Sequence, residues 1–109
     1  MPPPSLPLQE TPPALRERFQ RLAAEWKRQS RYMSNPAQIA MLRPYQGIIG
    51  MGAAAVPLLL EELQREPDHW FWALEAITEE NPVGPEDAGF VRRMAQAWID
   101  WGKQRGYCS

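Results

Sequence analysis

Cysteine and histidine are nearly missing from this chain, with Cys108 and His69 standing alone. A single cysteine closes no internal disulfide, and with no second cysteine or neighbouring histidine it completes no metal-ligand pattern. His69 follows Asp68, an acid–base pairing on paper, but no serine or cysteine nucleophile with an orienting group accompanies it. Gly50-Met51-Gly52 lacks the third glycine and the preceding strand of a dinucleotide loop. The acids Glu79, Glu80, Glu86 and Asp87 lack the regular oxygen spacing of a calcium loop. No enzymatic role, cofactor or metal is therefore expected. Long apolar runs are missing as well: the most apolar stretch, 48–60, is interrupted by Gly50, Gly52 and Pro57, so no membrane-spanning segment is expected. Met1 to Pro7 has neither the basic start nor the apolar stretch of a secretory signal, which makes the cytoplasm the expected compartment. Net charge is only −1, too little of either sign to favour indiscriminate nucleic-acid binding.

Apolar material, by contrast, is sufficient for a core. Hydrophobic residues make up 44% of the 109 positions and five of them are Trp, whereas charged residues make up 23%. That balance describes one folded domain rather than a solvated tail. The small net charge also conceals an uneven distribution. Residues 1–43 carry seven basic side chains against three acids, while residues 61–87 carry nine acids against Arg65 alone. Six of the twelve prolines fall within residues 1–13, a density that favours extended backbone over packing. A flexible proline-rich arm is expected over 1–12, and a single all-helical domain over 13–107.

Apolar spacing within that domain is helical throughout, with no alternating strand pattern. Thr11 before Pro12 and Pro13 signals a helix start, and Leu15, Phe19, Leu22 and Trp26 then fall on one stripe. Ser34-Asn35-Pro36 repeats the signal for a short helix to about Leu42, and Pro44 opens another carrying Tyr45, Ile48 and Ile49. Gly50 and Gly52 mark a sharp exit, and a helix is expected from Ala53 to about Arg65 with Val56, Leu59, Leu60 and Leu63 inward. Pro67 breaks the chain, Asp68 is placed to cap a helix from His69 to about Glu79, and Trp70, Ala73, Leu74 and Ile77 form its buried stripe. A final helix from Glu86 to about Gln104 carries Phe90, Met94, Ala97, Trp98 and Trp101. The expected fold is all-α, a compact bundle of about five helices.

The block from Gly50 through Ala53-Ala54-Ala55-Val56-Pro57 to Leu63, followed by Pro67-Asp68 and Trp70-Phe71-Trp72-Ala73-Leu74, resembles one HEAT-type helical repeat. The likeness covers about 30 residues and departs from the repeat pattern at Phe71, where such repeats carry an arginine. The run through Ile77-Thr78 and Asn81-Pro82-Val83 also resembles a group of small bacterial proteins whose function is undescribed. What the resemblance implies is a HEAT-like hairpin inside the bundle, with the flanking helices capping it, because stacked repeats of this kind need neighbours to bury their faces.

Two surfaces are candidates for partner binding. Trp70, Phe71 and Trp72 are consecutive, so they cannot share one helix face; with Trp98 and Trp101 most of them are read as packing between the last two helices, and the alternative is an exposed patch, led by Phe71 or Trp72, that binds a partner. The first helix supplies Arg21, Lys27, Arg28 and Arg31 as a basic surface. The favoured reading is a non-enzymatic protein–protein interaction module or small adaptor. The alternative is a small regulator, antitoxin-like or a nucleic-acid accessory factor, that uses the basic helix; against nucleic acid stand the overall charge and the lack of a helix-turn-helix signature. Opposite charge in the two halves also allows head-to-tail self-association.

Overall fold

A computed structural model describes residues 12–107. Six α-helices, one for each helical segment read from the sequence, and two 3-10 turns make up the described chain, with no strand among these residues. Helix α1 spans Pro13–Ser30, and its first free amides, those of Leu15 and Arg16, donate to the Pro12 carbonyl at 3.1 Å. Thr11, the expected cap, and the proline-rich arm apart from Pro12 lie outside the described residues. Phe19, Ala23 and Trp26 form the buried stripe of α1. Helix α2 (Pro36–Ala40) is capped as its sequence suggests, with the Ala37 amide donating to Asn35 Oδ1 at 2.9 Å. Helix α3 (Arg43–Gly50) buries Pro44, Tyr45 and Ile48.

The step from α3 to α4 is decided by two residues. Gly52 takes φ +67°, a left-handed conformation that a side chain resists, and the chain turns there by 110°. Pro57 has no amide hydrogen to donate to Ala53, so residues Gly52–Ala55 form a 3-10 turn instead of the expected first turn of helix, and the Val56 amide bonds to the Ala53 carbonyl. Helix α4 (Val56–Arg65) then buries Val56, Leu58, Leu59, Leu60, Glu62 and Leu63, an almost complete girdle. Such a helix must be surrounded, and α4 packs against α6 and α5 while its acidic side pairs with α1. No helix among the described residues is long and apolar enough to cross a membrane.

Helix α5 starts later than the spacing suggests, covering Phe71–Thr78. Asp68 Oδ1 accepts from the next amide, that of His69, and the Trp70 amide returns to the Asp68 carbonyl, so Asp68 shapes the turn rather than capping the helix. Helix α6 (Val91–Gln104) likewise begins five residues after the expected Glu86. Pro85–Asp87 is a separate 3-10 turn, and Gly89 at φ +87° breaks any continuation. Phe90 is consequently 55% exposed instead of lying on the buried stripe, which consists of Ala95, Trp98, Ile99, Trp101 and Gly102.

One contiguous core joins all six helices. At its centre Trp70 contacts Trp26 (4.3 Å between ring centroids), Tyr45 (5.7 Å, stacked) and Phe19 (6.1 Å). Tyr45 does for α5 what the local sequence does not. Its hydroxyl accepts from the Ala73 amide at 2.9 Å and donates to the His69 carbonyl at 3.0 Å, so a side chain on α3 caps the start of α5. Burial is the main cause that pushes the phenol's pKa up, and Asp68 and Glu75 add to it.

Candidate docking surface

Helical geometry divides α5 between two faces. Phe71, Ala73 and Leu74 turn inward, while Trp72, Glu75 and Ala76 form an exposed stripe, followed by the exposed C-cap residue Glu79. Trp72 is 49% exposed and Phe71 only 4%. The exposed-patch expectation is therefore corrected for Phe71, which belongs to the core: one residue of rotation, about 100°, carries it from the solvent face to the buried one. A groove of about 190 Å³ opens beside Trp72. Val91 and Met94 of α6 line it together with Phe71, and Pro36, His69 and Glu75 form its rim. Its volume lies below the roughly 300–1,000 Å³ of small-molecule sites and suits a single inserted side chain.

The surroundings of this groove are acidic. Glu75 lines it, Glu79 continues the same stripe, and Glu86 and Asp87 sit in the connector leading to Gly89. His69 is half-buried, forms an edge-on contact with Phe71 at 6.4 Å, and also lines an adjoining depression of about 340 Å³. That depression lies between the end of α1 and the 66–69 turn, with Lys27, Arg31, Met33, Glu66 and Asp68 on its walls. A wider polar hollow of about 500 Å³ on α6 contains Asp87, Arg93 and Asp100, and its Gln96 amide donates to Asp100 at 2.9 Å.

The structure divides the basic residues of α1 instead of gathering them. Lys27 is turned about 120° from Arg21, and its ammonium meets Glu62 of α4 at 3.4 Å and Glu66, just past the end of α4, at 3.6 Å. Arg28 folds onto Glu25 of its own helix and holds that carboxyl below its ordinary range. Arg21 and Arg31 are exposed. Of the residues expected at a binding surface, then, Trp72, Arg21, Arg28 and Arg31 face solvent, Lys27 braces α1 against α4, and Phe71 supports the core.

No protein-family model, curated protein or solved structure matches this chain. Function has to be argued from its own surface. Three exposed apolar side chains complete that surface and escaped the sequence reading: Tyr32 at 92%, Met41 at 70% and Phe90 at 55% exposure. Tyr32 lies in the turn just past the end of α1, beyond the reach of that helix's buried stripe. For Phe90 the signal is the preceding Gly89, whose positive φ stops the helix there.

Proposed function

We propose that this chain is a non-enzymatic protein–protein interaction module, with the exposed stripe of α5 and its groove as the docking face. The carrying observation is Trp72, a large ring held half in solvent at the edge of a groove sized for one side chain. Trp concentrates at the energetic centres of interfaces, where a partner removes it from water. The α4–α5 pair is read as a HEAT-like hairpin that presents this stripe, and a cytoplasmic setting accords with the reading. Trp72→Ser is expected to abolish capture of the partner from a native-host extract, followed by mass spectrometry, while the unfolding free energy changes by no more than ordinary surface substitutions allow, about 0.5 kcal/mol. Unchanged capture, or a melting loss of several kcal/mol, would sink the assignment. If binding instead depends on Arg21 and falls steeply with salt, the basic-helix regulator is the better reading.

A further inference from the structure

We propose that the groove beside Trp72 receives Tyr32 from a second copy of this chain, so that two copies associate about a two-fold axis near His69 and Pro36. The proposal rests on the docking-face reading above and names its occupant. Tyr32 is the most exposed large apolar side chain in the described structure, at 92%, so it does not occupy the groove of its own chain. A ring this free, placed immediately after a basic helix end, has the chemistry that the groove accommodates. Phe71, Trp72 and Met94 offer aromatic and thioether surface, and Glu75 at the rim offers an acceptor for a phenol hydroxyl.

Charge points to the same pairing. Arg31, exposed beside Tyr32, enters a neighbourhood made acidic by Glu75 and Glu79, whereas a partner carrying acids next to its anchor is repelled there. Placement supplies the symmetry. Pro36, four residues after Tyr32, lines the groove, and His69 lines both the groove and the depression that contains Arg31 and Met33. Donor and acceptor surfaces therefore lie side by side. That is the arrangement in which a half-turn lets each copy give Tyr32 to the other and close the assembly, as an isologous interface requires.

The test is the mass of the full chain in solution, by light scattering or sedimentation at low ionic strength. A dimer is expected, and Tyr32→Ser and Trp72→Ser should each yield folded monomers whose melting, unlike the parent's, no longer depends on protein concentration. Arg31→Glu and Glu75→Arg should each weaken association at least about tenfold by placing like charges together. An equimolar mixture of the two charge variants should restore it, because both contacts of the mixed dimer then pair opposite signs. A monomer at all concentrations, a dimer indifferent to Tyr32→Ser, or a mixture no stronger than either variant would overturn the proposal. Trp72-dependent capture of a host protein by a strictly monomeric chain would overturn the dimer alone and leave the interaction module standing; a monomer that also captures nothing through Trp72 would sink both.

Discussion

Two aromatic clusters hold this molecule together, and they use the polar atoms of their rings in opposite ways. The inner cluster, Phe19, Trp26, Tyr45 and Trp70, is buried and directs its hydrogen bonds to backbone: Trp26 Nε1 donates to the Ile39 carbonyl at 3.0 Å, and Tyr45 bridges His69 and Ala73. The outer cluster, Trp98, Trp101 and Tyr107 at the end of α6, reaches surface side chains: Trp101 Nε1 donates to Glu80 at 3.3 Å, and Arg105 lies over the Trp101 ring while gripping the same carboxylate. A ring tied to backbone determines where helices begin and end. A ring tied to exposed charges adjusts how the last helix sits, and its contribution follows pH and salt. Both clusters contain one indole without an acceptor among the described residues, Trp70 and Trp98, so ring packing there has to exceed a desolvation cost of about 1–3 kcal/mol.

The contrast can be broken most forcefully at Trp70. Trp70→Ala is expected to cost about 3–5 kcal/mol in chemical denaturation, because the cavity opens among three other rings at once. A loss below 1 kcal/mol would show that the inner cluster is not the organising centre. Next comes Tyr45→Phe, expected to cost about 1–3 kcal/mol by leaving the Ala73 amide and the His69 carbonyl unpaired in the interior. The phenol's raised pKa also has a signed consequence. Between its ordinary value of 10.0 and its higher folded value, only the unfolded chain gives up the proton, so stability is complete below pH 10.0 and falls as pH rises above it. Melting curves across that window should show the decline in the parent and its removal in Tyr45→Phe.

Smaller effects belong to the outer cluster and the turn that feeds it. Glu79 ends α5 at φ +58°, a left-handed conformation unfavourable to a side chain, so Glu79→Gly is expected to raise stability by up to about 1 kcal/mol. Destabilisation instead would mean that the Glu79 side chain contributes more than its strained backbone costs. Smallest at neutral pH is Glu80→Gln. Hydrogen bonds from Arg105 and then Trp101 hold the Glu80 carboxyl below its usual 4.5. Its stabilisation is present above that value and is lost as pH falls through the lowered folded pKa. Thermal unfolding measured from neutral to acid pH should therefore lose part of its acid sensitivity in Glu80→Gln, and identical profiles would show that this tie to α6 contributes nothing.

Much of the fold was legible because helical spacing and proline are local signals. The stripe through Phe19 and Trp26, the Asn35 cap and the inward set Leu59, Leu60 and Leu63 all follow from neighbours within two turns. The late starts of α5 and α6 have local causes. Asp68 has the chemistry of a cap, but its carboxylate serves the adjacent amide, and Gly89 interrupts a pattern that apolar spacing alone continues. The exposed stripe of α5 was half legible: three consecutive aromatics require that one diverge, but periodicity alone did not say which. Phe71 went inward and Trp72 outward because α5 is anchored from outside, through Tyr45.

Sequence alone determined that the chain is helical, where its prolines interrupt it and which halves carry each charge, since backbone preference and composition act over a few residues. Only the tertiary structure decided that Tyr45 caps a helix 28 positions away, that Lys27 is spent on Glu62 and that Tyr32 and Trp72 stand free beside a groove. Those outcomes depend on which distant surfaces meet, and the meeting is set by filling one shared core rather than by any residue's neighbours along the chain.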